Sequence, residues 1–165
     1  MANTRSGASA SVVRRAARAA GSDDAWRHGN VGRLLSNALR RFEQRVIELL
    51  LEAGYDEVLQ SHVNATRHLD VEGTRLTDMA QRAAMTKQSM SELVDQLERG
   101  GLVTRRPDPT DRRARLVCFT PAGLVWLDHF GVAVKIAERE MARTIGAEAL
   151  RATKQALRRY DASAG

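Results

Sequence analysis

Apolar side chains at Val31, Leu34, Leu35, Ala38, Leu39, Phe42, Val46, Leu49 and Leu50 are separated by gaps of three, one or four residues. That spacing places them on one stripe of an α-helix. A long amphipathic helix is therefore predicted over about 30–53, ended by Gly54. Val58, Leu59, His62, Val63, Thr66 and Leu69 predict a second helix over 56–69, and "DVEGT" is then a loop. Two short helices follow. One, about 77–84, turns Leu76, Met79, Ala80 and Ala83 inward, and the other, about 87–99, turns Met90, Leu93, Val94 and Leu97 inward. Thr77 and Thr86 stand where N-caps belong. Only "AMT" separates the two helices, which leaves room for a sharp corner and nothing else: a helix-turn-helix. Gly100 and Gly101 end the second.

The pattern then changes period. "LVTRR" and "ARLVCF" are short and β-prone, and "PDPTDRR" lies between them. This predicts a two-stranded ribbon whose prolines, unable to donate ladder hydrogen bonds, sit at the tip or edge. Thr120-Pro121 reads as an N-cap with proline at the first helical position. Beyond it Leu127, Phe130, Val134, Ala137, Met141 and Ile145 mark one more helix, and Leu150, Thr153, Leu157 and Tyr160 mark a last one over about 147–160. The fold class is mainly α with a small β-ribbon: a winged helix-turn-helix over about 56–120, flanked by long helices over about 30–53 and 121–160. Those flanking helices are longer than a lone winged helix needs. Their apolar stripes require cover, which a second subunit would supply.

Composition narrows the function. The 165 residues suit one domain, here 26–165, preceded by a basic tail over 1–25 that has no acid before Asp23. No apolar run reaches the roughly 18–20 residues that span a bilayer, and no block resembles a secretory signal. An intracellular, cytoplasmic protein is expected. The single cysteine, Cys118, excludes an intramolecular disulfide framework. Formal net charge is +6, and the 26 basic residues are nearly all arginine, so a polyanionic partner is plausible. Aromatic content is only 4%. Single-strand and RNA binders need exposed rings for base stacking, so duplex DNA is the better polyanion.

The winged helix supplies two candidate contacts. The first turn of the 87–99 helix, with Thr86, Lys87, Gln88, Ser89 and Ser91, is small, polar and free of acid. A major groove about 12 Å wide admits such a helix end, and its N–H groups favour phosphate. Gln88 suits adenine, and Lys87 suits guanine or phosphate. Arg112, Arg113 and Arg115 lie on or beside the ribbon tip, where a narrow minor groove would attract them. Asp111 is expected to hydrogen-bond an arginine side chain and hold it extended. Glu92 and Asp95 are expected at the groove's centre or outside it.

Residues 76–123, "LTDMAQRAAMTKQSMSELVDQLERGGLVTRRPDPTDRRARLVCFTPAG", resemble the MarR (multiple-antibiotic-resistance regulator) family of bacterial transcription regulators. The likeness runs from the helix-turn-helix through the "LERGGLV" junction and the "DPTDRR" wing to "FTPAG". The resemblance implies that Asp111 positions Arg113 and that Arg113 enters the minor groove. It also implies a homodimer built from the first and last helices, acting on a near-palindrome with half-sites about 34–36 Å apart, and a nucleoid location when bound. Repression relieved by a small aromatic or anionic ligand is the expected activity. Arg40, His62, Arg67 and Trp126 fall on the helices that would line the ligand crevice, although ordinary solvation or core packing is the favoured reading of each one singly. Ala84 occupies a corner that is often glycine in the family; a left-handed alanine there costs roughly 1 kcal/mol. Phe119 replaces the usual leucine.

Other chemistry is less well supported. Cys118 reads as a small buried hydrophobe. His28, His62, His68 and His129 lack tight ligand spacing, so no metal or other cofactor is expected. No nucleophile motif marks an enzyme. The competing readings are a winged helix that grips another protein and an architectural DNA binder without a ligand.

Overall fold

The computed structural model describes residues 26–55, 60–111 and 113–162 together with Val12 and Ala16, and for Gln60 and Ser61 the backbone alone. The rest of the predicted basic tail, and Val58 and Leu59 of the second predicted helix, lie outside the described residues. The chain divides into two units, 1–40 and 41–165. In the first, a single turn α1 (Trp26–Gly29) leads into α2 (Val31–Glu52). Asn30 joins them: its Oδ1 accepts from Arg33 N at 2.9 Å, and its Nδ2 donates to the Trp26 carbonyl at 2.9 Å. Val31, Leu34, Leu35 and Leu39 are all exposed.

The second unit holds the remainder of α2, then α3 (Gln60–Thr66), β1 (Thr74–Arg75), α4 (Leu76–Arg82), α5 (Lys87–Arg99), β2 (Val103–Pro107), β3 (Arg115–Phe119), α6 (Pro121–Ile145) and α7 (Ala147–Ala162). Two apolar cores organise it. Around the helix-turn-helix, Met79, Ala80, Met90, Val94 and Leu97 pack with Ala65 and Leu69 from below and with Val103, Val117 and Phe119 of the strands. The other core joins Val46, Ile47 and Leu50 of α2 to Val63 of α3 and to Trp126, Ala133 and Ala137 of α6. The inward faces expected for α4 and α5 are therefore those observed.

The ribbon carries a third strand that periodicity did not show. The order is β1-β3-β2, all antiparallel, with Thr74 opposite Val117 and Arg75 opposite Leu116. Thr74 turns inward, where its Oγ1 accepts from Asp70 N at 2.9 Å and donates to Asp70 Oδ2 at 3.1 Å. Gly73, with φ 100°, brings the chain so near β3 that a Cβ would lie 2.7 Å from Cys118 Sγ. The last residue of the predicted "DVEGT" loop, Thr74, thus joins a sheet edge because β3 satisfies its backbone.

Caps were partly foreseen. Thr86 accepts from Ser89 N at 3.1 Å, and Thr120 accepts from Gly123 N at 2.9 Å ahead of Pro121. Thr77, expected to cap the first helix of the pair, lies inside α4 instead; the cap position falls to Arg75, whose side chain makes no capping bond. Thr77 directs its hydroxyl to Asp78 Oδ1 at 3.3 Å. At the corner, Ala84 has φ 50° and is the one non-glycine among the described residues with positive φ. Ala84→Gly is expected to raise unfolding free energy by about 0.5–1 kcal/mol, since relief of the left-handed strain exceeds glycine's extra unfolded entropy. A urea titration reads this directly, and an unchanged or lower midpoint would contradict it.

The last helices leave part of their apolar stripes uncovered. Ile145 is exposed, and no residue of α7 is buried. Leu157 and Tyr160, on the apolar stripe of α7, are open to solvent. An ion pair joins α7 to α6: Lys154 Nζ stands 2.7 Å from Glu138 Oε1. No helix among the described residues is long and apolar enough to cross a membrane.

Candidate nucleic-acid interface

The N-terminal turn of α5 is built by its own polar side chains. Thr86 and Ser89 share a hydroxyl–hydroxyl hydrogen bond at 2.8 Å besides the capping bond. These two candidates thus spend hydrogen-bonding capacity on starting the helix, and Ser89 and Ser91 are half-buried. Lys87 and Gln88 are exposed. Gln88 Nε2 donates to Glu92 Oε1 at 3.3 Å, one turn on. That contact holds the amide while leaving its oxygen and second N–H available. The helix has no acid in its first turn.

Asp95, which would repel phosphate, shares an arginine with Glu98. Arg105 of β2 donates from Nη2 to Asp95 Oδ1 at 2.5 Å, from Nη1 to Glu98 Oε2, and from its backbone N to Glu98 Oε1 at 3.1 Å. Arg105 therefore ties the ribbon to α5. The sequence places it only in the β-prone "LVTRR" stretch. The missing signal is a pairing across seven and ten residues, which no helical or strand period reports.

The wing tip turns on Asp108, a buried carboxylate. Its Oδ1 accepts from the N–H and the hydroxyl of Thr110, each at 2.7 Å. Its Oδ2 accepts from Arg75, at 2.7 Å from Nε and 2.6 Å from Nη2. The Thr110 bonds first, and the Arg75 guanidinium after them, pull the Asp108 carboxyl down to about 2. Being depressed, this group contributes its stabilisation in full above the ordinary carboxylate range and loses it as pH falls through about 2. The carboxylate is thus ionised throughout the neutral range. Asp108 N donates to the Ala114 carbonyl at 3.1 Å, and Ala114 N to the Asp111 carbonyl at 2.9 Å, closing the tip.

Asp111 departs from expectation. Its Oδ1 accepts from the backbone N–H of Arg113 at 3.0 Å, and its Oδ2 lies 4.0 Å from Arg75 Nη2. The contact it makes with Arg113 is to the main chain, because an Asp two residues ahead is placed to close an Asx-turn. Arg113 and Arg115 are exposed; Arg112 lies outside the described residues.

Of the candidates for a ligand crevice, His62, Arg67 and Trp126 belong to the second unit, and each has its own surroundings. Arg40 is exposed and belongs to the first unit. Arg67 Nη2 stands 2.7 Å from Glu43 Oε1, itself buried on α2. His62 Nε2 is bonded to Gln96 Oε1 of α5 at 3.2 Å. Trp126 is fully buried and stacked on Phe130, with ring centroids 5.3 Å apart, so it serves as core. Tyr55 and His129, which sequence reading did not pair, share a hydrogen bond at 2.6 Å. Among the described residues no three His, Cys, Asp or Glu side chains gather as metal ligands.

This fold and this site define a winged helix-turn-helix protein with long flanking helices. Residues 66–114 match the sequence model of the MarR family. The fold is shared with a MarR-family transcriptional regulator from Rhodococcus sp. RHA1, 22% identical, with TM-score 0.66 over 83% of this chain and 94% of that one. It is shared with apo MarR from E. coli, 18% identical, with TM-score 0.65 over 79% and 96%. CouR from Rhodococcus jostii RHA1, bound to p-coumaroyl-CoA, is 26% identical, with TM-score 0.61 over 78% and 90%. No curated protein matches the chain. Residues 66–114 are thus similar to the MarR family, and the chain shares the fold of solved MarR-family transcriptional regulators.

Proposed function

We propose that the protein is a duplex-DNA-binding transcription regulator, a homodimeric repressor that seats α5 in the major groove and Arg113 in the neighbouring minor groove. The observation that carries the reading is the joint exposure of Lys87, Gln88 and Arg113 on one winged helix, with Asp95 held in an ion pair by Arg105. Thr86, Ser89 and Ser91 shape the helix end, and Arg112 and Arg115 add charge at the wing. Two exposed apolar stripes, Val31–Leu39 on α2 and Leu157 with Tyr160 on α7, support a dimer, since a second copy is the simplest cover for both. Two copies would read a near-palindrome. CouR's bound p-coumaroyl-CoA supports a small-molecule effector here too. By shifting the half-site spacing a few ångströms, such a ligand would stop both recognition helices from seating at once.

Arg113→Ala is expected to weaken binding to a duplex selected from random-sequence DNA by about tenfold, with the oligomeric state unchanged. Log affinity is expected to fall steeply with log salt, because phosphate contacts release counterions. Titration of labelled duplex at several salt concentrations measures both. Unchanged affinity in the variant would refute the wing assignment, and a flat salt response would point to a protein partner instead.

A further inference from the structure

Helix α4 begins at a position where a short polar side chain would normally accept an N–H bond. Here the position is Arg75, which can donate but cannot accept, and no capping bond forms. The guanidinium instead reaches across 33 residues of sequence to Asp108, with both contacts falling on Oδ2. The other carboxylate oxygen closes the wing tip through Thr110. From there the connections run without a gap to the candidate contact. Asp111 N donates to the Asp108 carbonyl at 3.3 Å, and Asp111 Oδ1 receives the Arg113 N–H at 3.0 Å. Arg75 is itself held by β1, which is paired with β3, and it leads directly into the first helix of the helix-turn-helix.

We propose that Arg75 is a positioning residue for DNA binding. By gripping buried Asp108 it locks the wing tip to the helix-turn-helix, so that Arg113 is presented in one orientation relative to α5. The trade is local: an ordinary cap on α4 is given up, and its position is used to brace the wing. The inference rests on the reading of Arg113 as a DNA contact.

A double-mutant cycle on the full-length protein tests it, using the tightest duplex recovered from random-sequence selection. Arg75→Ala and Arg113→Ala are each expected to weaken binding about tenfold, and the double variant to weaken it about tenfold as well, because Arg75 acts through Arg113. Arg75→Lys, which keeps the charge but loses the planar fork, is expected to recover part of the loss. Amide exchange at Arg113 and Ala114 is expected to quicken in Arg75→Ala, a change that reports tip order directly. Should Arg75→Ala fail to fold, Arg75→Gln retains a donor and carries the same cycle. The proposal is overturned if the double variant loses about a hundredfold, or if affinity does not change in Arg75→Ala. If Arg113→Ala alone binds normally, the wing reading falls and the positioning role with it. Exchange rates at the tip then still separate that outcome from an Arg75 that braces nothing.

Discussion

Trp126→Ala is expected to lower the unfolding free energy by about 3–5 kcal/mol, the range for removing a fully buried aromatic ring. Trp126 has no exposed surface. It fills the core between α2, α3 and α6, among Val46, Ile47, Leu50 and Val63 and against Phe130. Native domains have only about 5–15 kcal/mol in hand, so a large share of the total is at stake. The indole Nε1 sharpens the test, because it has no hydrogen-bond partner among the described residues. An orphaned buried donor carries a penalty of about 1–3 kcal/mol. Trp126→Phe removes that donor, keeps a ring for Phe130 and loses some volume. Its net cost is expected at about 1 kcal/mol or less, as these terms oppose. Urea titrations of both variants measure the contrast. Equal losses would show that the N–H is satisfied in solution and that the indole has a polar role, such as one towards a bound effector.

Gly123→Ala is expected to cost about 3 kcal/mol or more, although it adds a single methyl group. A Cβ at Gly123 would meet the Leu102 carbonyl oxygen at 1.9 Å and its carbon at 2.9 Å, both backbone atoms, and Phe119 Cδ1 at 3.2 Å. That carbonyl already accepts from Thr120 N at 3.0 Å, and Thr120 in turn caps α6 by accepting from Gly123 N. Neither side of the clash is a flexible tip. Relief therefore requires moving the start of α6 away from the end of the recognition helix. Overpacking of about 1–3 kcal/mol then adds to loss of a cap worth about 1 kcal/mol. Gly131→Ala is the control on the same helix: nothing lies within 4 Å of its missing Cβ, so helix propensity predicts a gain of about 0.5–1 kcal/mol. Comparable stability of the two variants would show that α6 slides freely past Leu102. The joint matters functionally, since Gly123 is where the long flanking helix leaves the winged helix.

Local signals carried a large part of this molecule. The inward stripes of α4 and α5, the corner between them, the caps Thr86 and Thr120 and the two long ribbon strands each depend on residues a few positions apart. Such terms survive without knowledge of the fold. Lys87, Gln88 and Arg113 could be singled out for the same reason: each is a feature of a helix start or a turn. Ala84 was legible as a question, and its conformation as an answer only in three dimensions.

Everything that crosses the chain was illegible. Strand β1 is two residues long and exists because β3 satisfies its backbone. Arg75 reads as an ordinary basic residue until Asp108 stands beside it, and Arg105 reads as wing charge until Asp95 and Glu98 claim it. Trp126, on a helix that could line a ligand crevice or simply pack, proves to be core, and the apolar stripe through Leu157 and Tyr160 is left exposed. Periodicity says that a helix has an apolar face; it does not say what that face meets. From its residues alone this protein determined a helix-turn-helix, a basic ribbon and two long amphipathic flanks, because these follow from spacing, caps and turns. Which arginines reach outward and which are bound to carboxylates was decided only by the tertiary structure, because an ion pair depends on distance in space and charge has no period along the chain.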